Sequence, residues 1–336
     1  MEPQRDWLSR LLEIMTVAGR LEIRCEYGSP WRVAYAEVPS CEIPYHVILQ
    51  GSAVLEDGLG GTHRLAPGDI VLLPHSSAHV IHDGSGTPAS PAREREQLNL
   101  TVSENDGTGQ RLDMLCGRFI ISAPHDRLIR GYLPPVLVVR APAEEAADKT
   151  SDQLTNLMLL MRTESMGEHP GSRAILNALS AALFALTLRR VSEWDAAPTG
   201  LLALAGDTRL APAITAMFNE PARQWALPEL ARLCNMSRAT FMRHFQNSLG
   251  RSASELLADL RMSLAANALR RPSVPAEAVA EAVGYHSVAA FRRAFAQRIG
   301  MTVGEWRRSV RADSEEKAPT PETPSQPVIE LAHFDA

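Results

Sequence analysis

The sequence predicts an α+β protein of two domains: an N-terminal β-barrel, a helical linker, and a C-terminal all-α domain with two helix-turn-helix units. Short apolar runs broken by turns dominate residues 31–121, a pattern typical of an all-β barrel or sandwich. Apolar residues at helical spacing follow within 150–195, and a duplicated helix-turn-helix pattern fills 206–311. We therefore assign 1–140 to the first domain and interpret 312–336, which is rich in Pro, Glu, Ser and Thr, as a disordered tail.

The composition is typical of a globular protein. Its 336 residues are 45% apolar and 22% charged, which is enough for two domains with connections. The most apolar stretch, Ala174–Leu188, contains polar residues and is flanked by arginines, so we interpret it as a buried helix. The first residues lack a signal-peptide pattern, and the spacing of the four cysteines matches no zinc finger or CxxC pair. We expect a cytoplasmic protein without a membrane segment, and cysteines that are thiols.

The net charge of −5 conceals an asymmetry between the two halves. Residues 206–311 contain 15 Lys and Arg against 8 Asp and Glu, whereas the remainder contains 19 against 31. A basic module joined to an acidic one predicts a DNA-binding part and a part with another task.

The last third of the chain contains an internal repeat with a period of 50 residues. Four positions of the first copy recur in the second: Ser237, Phe241, Phe245 and Gly250 match Ser287, Phe291, Phe295 and Gly300. Such an offset predicts a duplicated supersecondary unit. Each copy reads as a helix, a short turn and a second helix, with the serine as N-cap and the two phenylalanines on one inward face.

The remaining positions of the second helix in each copy are candidate DNA contacts. Arginine suits guanine edges and phosphates, and a helix N-terminus suits phosphates. The alternative is that these side chains form a solvated surface without a partner. The candidates are Ser237, Arg238, Thr240, Arg243, His244, Ser287, Val288, Ala289, Arg292 and Arg293.

The segment Val279–Arg308 resembles the signature of AraC-type transcriptional regulators. The shared features are a Gly-aromatic turn, two Phe four residues apart, a Gly five residues later, and an aromatic-Arg pair. The chain departs from the pattern at Val303, where Pro is usual, and at Trp306, where Tyr is usual; both are structural positions. The resemblance implies double-stranded DNA and RNA polymerase as partners.

Residues 65–83 resemble the second conserved motif of cupin barrels, which predicts a cupin-like N-terminal domain. Gly68, Pro74, Ser76 and His79 occupy the motif positions, with Ser76 in place of Gly. After this motif, 84–110 is rich in Gly, Ser, Pro and charge, and we interpret it as a mobile loop.

The first cupin motif is degraded, so the family's metal ligands are incomplete. His46 fits its second histidine, but Pro44 and Gln50 stand where His and Glu are expected. The resemblance therefore leaves His46 and His79. If a cysteine joined them, the set would suit Cu(I) or Zn; Cys25, our choice for the metal site, and Cys116 are the candidates. The alternative is that the two histidines line a pocket for an organic ligand or only form local hydrogen bonds.

The N-terminal half as a whole resembles an AraC-type subgroup that includes activators responsive to reactive chlorine species. In such sensors a cysteine thiolate is the target of the oxidant. The resemblance makes Cys25 and Cys116 candidate redox-sensing residues. Arg24 and Arg118 are the basic residues nearest to them in sequence.

Taken together, these features predict a transcription regulator that is not an enzyme, and the resemblance implies an activator rather than a repressor. Its signal would be an oxidant, a metal ion or a small molecule sensed in the cupin-like domain. The helices within 150–195 either pack only on the barrel or also pair two subunits in a homodimer. One alternative is a metal-dependent cupin enzyme with a DNA-binding appendage, which would need a complete ligand set. Another is a DNA-packaging protein, which the acidic overall charge disfavours.

Overall fold

The computed structural model describes residues 6–141, 148–194 and 200–316. The chain divides into two compact units. One, the cupin unit, comprises Val17–Ser122 and Leu133–Glu193. The other, the helical unit, comprises the described residues up to Thr16, the segment Ala123–Tyr132, and the described residues from Trp194 onward.

The cupin unit consists of two antiparallel-rich sheets that face each other. The larger sheet has seven strands in the order β11-β6-β3-β10-β1-β9-β8, and the smaller has four in the order β2-β7-β4-β5. Buried residues of both sheets form one apolar core, which includes Ile23 and Met114 of the larger sheet and Leu55 and Ile81 of the smaller. The predicted cupin-like barrel is thus confirmed. The strands are β1 Val17–Gly28, β2 Arg32–Tyr35, β3 Glu42–Gln50, β4 Ala53–Asp57, β5 Thr62–Leu65, β6 Ile70–Leu72, β7 His79–His82, β8 Ala92–Glu96, β9 Thr101–Asn105, β10 Arg111–Ile121 and β11 Leu137–Val139.

The region predicted as a mobile loop, 84–110, instead contains strands β8 and β9. Strand β9 pairs in parallel with β1, and β8 pairs with β9 as the outermost strand of the sheet. Asn105 ties the end of β9 to the end of β1: its side-chain oxygen accepts from the N–H of Gly28, and its side-chain NH₂ donates to the carbonyl of Gly28. The charged composition suggests a loop, but charged side chains are also common on edge strands, where they prevent pairing with another chain. The Arg-Glu alternation of β8 is of this kind.

Two helices complete the cupin unit: α3, Lys149–Met166, and α4, Ser172–Ser192. Helix α4 packs against β1. Asn177 accepts a hydrogen bond from the N–H of Leu21, and Ser180 bonds the hydroxyl of Tyr45 at 2.7 Å. Within the described residues α4 is the one helix long and apolar enough to cross a membrane. Its packing on the barrel buries one face, which includes Leu176, Leu183 and Phe184, while Ile175 stays exposed. The helix is therefore partly buried rather than buried throughout as predicted.

The helical unit contains the duplicated pattern. In the first copy α7 precedes the turn and α8 follows it; in the second these are α10 and α11, and α9 connects the copies. The fully buried phenylalanines of each copy lie on one face, as predicted. The helices are α5 Leu201–Gly206, α6 Ala211–Asn219, α7 Leu227–Leu233, α8 Arg238–Leu249, α9 Ala253–Leu269, α10 Ala276–Ala282, α11 Val288–Ile299 and α12 Val303–Glu316.

Helix α12 corrects the predicted start of the tail. It runs to Glu316 rather than ending near residue 312, and the rest of the predicted tail, 317–336, lies outside the described residues. Trp306, the departure from the family pattern, is buried in this helix and donates its indole N–H to the carbonyl of Ala266 at 3.0 Å. It has the structural role predicted for that position.

Two segments from the first 140 residues belong to the helical unit, although we assigned that range to the sensor domain. Helix α1, Trp7–Met15, packs on α6 and α9. The segment Ala123–Tyr132, which we call the strap, contains helix α2, Asp126–Tyr132. The chain leaves the cupin unit after β10, forms the strap, and re-enters the cupin unit at Leu133.

Candidate functional sites

The first candidate site is the exposed face of α8. The N–H of Thr240 donates to Ser237 Oγ at 3.2 Å, so Ser237 caps the helix as predicted. Asn235 in the preceding turn has φ +52°, a left-handed conformation that asparagine tolerates well. Arg238 and Arg243 are exposed, whereas Thr240 is half-buried. The arginines are therefore free to reach a duplex, and the cap residues orient the helix start.

Three residues of this face were missed by the sequence interpretation: Ala239, Met242 and Gln246. All three are exposed, and Met242 keeps 46% of its surface accessible. At about 100° per residue, positions 238, 239, 242, 243 and 246 fall within an arc of about 140°. His244, a candidate from the sequence, is half-buried and lies about 100° outside this arc, so it is not on the same face. The spacing of three and four residues from Arg238 and Arg243 was the signal that could have found them.

The second candidate site is the corresponding face of α11. Ser287 caps the helix through the N–H of Ala290, at 3.3 Å from its Oγ. Ala289, Arg292 and Arg293 are exposed, and Val288 is half-buried against the core. Arg292 forms an ion pair with Glu277 of α10, with 3.1 Å between Nη2 and Oε1. This face therefore offers fewer polar groups than that of α8.

The third candidate site lies inside the cupin unit, where four of the predicted residues meet. His46 on β3 is directly opposite Cys116 on β10, and Cys25 on the neighbouring β1 is displaced by two residues from the pairing partner of Cys116. His79 at the start of β7 reaches the same place from the smaller sheet. All four side chains are at most 4% exposed.

These side chains form a directed hydrogen-bond chain. His79 Nδ1 lies 3.0 Å from the carbonyl oxygen of Ser77, which can only accept, so Nδ1 carries the proton. The unprotonated Nε2 of neutral His79 then accepts from His46 Nε2, at 2.8 Å. That leaves His46 Nδ1 as an acceptor for the thiol proton of Cys116, with 3.1 Å between nitrogen and sulfur.

Cys116 is the centre of the cluster. Its Sγ lies 3.9 Å from Cys25 Sγ and 3.5 Å from the hydroxyl of Tyr35. The Tyr35 ring stacks on His79 with centroids 4.7 Å apart. Tyr35 was not among the predicted residues, because only the pairing of β2 with β7 places it opposite His79.

Burial keeps the cluster uncharged. Desolvation raises the pKa of the Cys116 thiol well above its usual range. Desolvation, with His79 as a second cause, holds the pKa of His46 well below its ordinary value, and burial lowers the pKa of His79 to about 4. The resting state is therefore a neutral thiol beside two neutral imidazoles.

The two arginines near the cysteines in sequence do not activate them. Arg24 alternates to the other face of β1 and makes a two-pronged bond to the carboxylate of Asp113, with both distances 2.9 Å. Arg118 is bound by Glu22 and Glu42. Both arginines are therefore paired with carboxylates and not with the thiols of Cys25 and Cys116.

The cluster as arranged does not present a metal site. The Nε2 atoms of His46 and His79 bond each other, and Cys25 is adjacent to Cys116 rather than to both rings. Over the described ranges, no three His, Cys, Asp or Glu side chains are arranged to hold a metal ion. A metal would have to open the His46–His79 hydrogen bond, so metal binding by His46, His79 and Cys25 stays a prediction.

Comparison with known proteins agrees with both halves of the structure. A family model described as Cupin matches residues 6–193, and one described as Helix-turn-helix domain matches 230–309. An HTH-type transcriptional regulator of Haemophilus influenzae is 29% identical over 306 residues, covering 91% of this chain and 99% of the relative. The RCS-specific HTH-type transcriptional activator RclR of Escherichia coli is 30% identical, covering 91% and 98% respectively.

A third relative is the HTH-type transcriptional regulator MtrA of Neisseria gonorrhoeae, which is 27% identical and is covered over 98% of its length, against 90% of this chain. The matches thus extend across both units and are not confined to the DNA-binding part. This chain therefore belongs to the AraC-type transcriptional regulators that combine an N-terminal cupin sensor domain with a C-terminal helix-turn-helix domain.

Proposed function

We propose that this regulator is an activator that responds to an oxidant through Cys25 and Cys116. The observation that supports it best is the 3.9 Å separation of the two sulfurs on neighbouring strands. A disulfide has a sulfur–sulfur length of about 2.05 Å, so closure requires an approach of roughly 2 Å. The Escherichia coli relative, named as an RCS-specific activator, points in the same direction.

The reaction uses groups already in place. As the sulfur of Cys116 attacks hypochlorous acid, its proton passes to His46 Nδ1, which lies 3.1 Å away. A sulfur–chlorine bond forms and the oxidant's oxygen leaves as water, taking up that proton and its own. Cys25 then attacks the chlorinated sulfur, chloride leaves, and the thiol proton of Cys25 accompanies it. Two thiols and one hypochlorous acid give one disulfide, water and hydrogen chloride.

The high pKa of Cys116 makes the response selective. A buried neutral thiol reacts slowly with weak electrophiles, because the thiolate is the nucleophile. A small, uncharged and strongly electrophilic oxidant overcomes this handicap. Milder oxidants would then leave the regulator in its resting state.

The test is to treat the purified full-length chain with one equivalent of hypochlorous acid and to measure its mass and promoter activity. We expect the loss of two hydrogens, a cross-linked Cys25–Cys116 peptide, and a promoter response that Cys25→Ser and Cys116→Ser abolish. Cys41→Ser, on the half-buried Cys41, is the matched control and keeps the response. A normal response in both Cys25→Ser and Cys116→Ser would refute the proposal.

A metal ion at His46 and His79, copper or zinc, is the competing signal. His79→Ala separates the two, because it removes a ligand yet leaves both thiols. Two results together would favour the metal. His79→Ala would lose both zinc or copper binding and induction, and Cys25→Ser and Cys116→Ser would still respond. Turnover of any substrate by the metal-loaded chain would favour the cupin enzyme alternative.

The regulator is proposed to act in the cytoplasm by contacting RNA polymerase at a promoter.

It is proposed to do so as a homodimer. The homodimer is supported by apolar side chains on α3 and at the start of α4 that face water. Leu159, Leu160, Met166 and Ile175 are each between 45% and 63% exposed. They differ from Leu154, Met158 and Met161 of α3, which are buried in the cupin unit. Sedimentation of Leu159→Glu/Leu160→Glu against wild type tests this: the variant should be monomeric.

A further inference from the structure

We infer that the strap, Ala123–Tyr132, positions helices α9 and α11 for DNA recognition, although the cupin family model covers it in sequence. This inference goes beyond the proposed response to an oxidant and does not depend on it. It assigns a role in DNA binding to residues more than 90 positions before the helix-turn-helix units.

The N-terminal end of the strap is bound to the end of α9. Arg270 donates to the carbonyl of Ala123 at 2.6 Å, and His125 Nε2 donates to Asn267 Oδ1 at 2.8 Å. The amide of Asn267 in turn donates to the carbonyl of Ile14 at 2.8 Å, so one side chain of α9 holds both the strap and α1. His125 is completely buried, which shows that this contact excludes water.

The C-terminal half of the strap is bound to the first half of α9 and to α11. The hydroxyl of Tyr132 donates to the carboxylate of Asp259 on α9. The same carboxylate forms an ion pair with Arg298 of α11. Arg127 of the strap donates to the carbonyl of Arg298 at 3.0 Å. The strap, α9 and α11 therefore share one polar junction.

The spacing of these contacts makes the strap a brace along α9. Asp259 and Arg270 are 11 residues apart, which is about three helical turns, or roughly 16 Å, on one side of the helix. Helix α9 packs against both α8 and α11, so its attachment fixes the relation between the two recognition helices. Two such helices must enter major-groove segments about one helical turn, or roughly 34 Å, apart on the duplex.

The experiment measures how sensitive binding is to the spacing of the two half-sites. The probe is a duplex selected from random sequence by the full-length wild type, together with versions in which one or two base pairs are inserted between the half-sites. We expect the insertion to lower the affinity of wild type at least about tenfold, a loss comparable to that caused by one mismatched base pair. Arg127→Ala/Tyr132→Phe should lose less than about threefold on insertion and bind the original duplex several-fold more weakly.

A merely structural role would weaken binding to all the duplexes by the same factor and leave this spacing ratio unchanged. Tyr45→Phe is the matched control, because it removes a similar buried hydroxyl contact, to Ser180 in the cupin unit, and should keep the wild-type ratio. Arg127→Ala alone changes an exposed residue, so it serves if the double variant is unstable. Folded strap variants with the wild-type spacing ratio would overturn the inference.

Discussion

At the residue scale, the two recognition helices offer different chemistry to DNA. The exposed face of α8 carries Arg238, Met242 and Arg243, whereas that of α11 carries Ala289 and two arginines, one of them paired with Glu277. Arginine can read guanine by two parallel hydrogen bonds, and a methionine can contact a thymine methyl. We expect α8 to supply most of the base discrimination and α11 mainly affinity.

Arg243→Ala tests this assignment. If Arg243 binds a guanine edge, its loss should cost about 1–3 kcal/mol and relax the preference at one base pair. Binding to the selected duplex and to its single-base variants would be measured at fixed salt. Arg232→Ala, on the exposed surface of α7, is the control and should change little. A uniform loss across all sequences would instead identify Arg243 as a phosphate contact.

The residues of the cupin cluster could be predicted individually but not as an arrangement. Motif positions identified His46 and His79, and the family resemblance identified Cys25 and Cys116. The order of the hydrogen bonds depends on strand register, which places His46 opposite Cys116 and Tyr35 opposite His79. A shift of register by one residue would turn these side chains to the other face, and no local sequence signal determines it.

At the scale of elements, the turn of the second helix-turn-helix unit depends on Gly284. Its φ is +83°, and a Cβ at this position would clash with the backbone oxygen of Ala222. Gly284→Ala should therefore lower the free energy of unfolding by at least about 2–3 kcal/mol, because the steric clash adds to the strain of the left-handed backbone conformation. Thermal or urea unfolding of the full-length chain measures it.

Gly250 provides the comparison for that substitution. It has a similar φ of +76° at the end of α8, but nothing lies within 4 Å of a Cβ built there. Gly250→Ala should cost only the strain, about 1 kcal/mol. Equal losses in the two variants would show that the contact with Ala222 is unimportant.

Whole elements were predicted where a periodic pattern is strong, as in the duplicated helices, and were missed where contacts from distant residues decide. Strand β9 forms because β1 is available to pair with it in parallel, and the charged composition of the segment hides it. The strap looks like part of the barrel in sequence. Its place in the helical unit is set by partners such as Asn267 and Asp259, more than 120 residues away.

At the scale of the whole molecule, buried neutral histidines couple stability to pH in both units. Burial lowers the pKa of His46 and His79 in the cupin unit, and burial also lowers the pKa of His125 in the strap. In the unfolded chain a histidine titrates near 6.5. Because the folded pKa values are depressed, the unfolded state binds more protons below that pH, and the stability present above it is lost as pH falls.

We therefore expect the free energy of unfolding to be nearly constant from about pH 8 to 7 and to fall between about pH 6.5 and 4. Each histidine contributes at most about 1.4 kcal/mol per pH unit within its window. For His79 that window ends at its folded pKa of about 4. Protonation there would also turn the Nε2 acceptor into a donor that opposes the N–H of His46, so the cupin unit should loosen first around this pair.

Urea unfolding at a series of pH values, with wild type and His79→Gln, measures the effect. The variant should be less stable than wild type at pH 7.5 but should lose less on acidification, because one titrating group is gone. His286→Gln, a substitution in the exposed turn before α11, is the control. An identical acid slope in His79→Gln and wild type would mean that the His46–His79 pair does not carry the pH dependence, and that carboxylates paired in the folded state do.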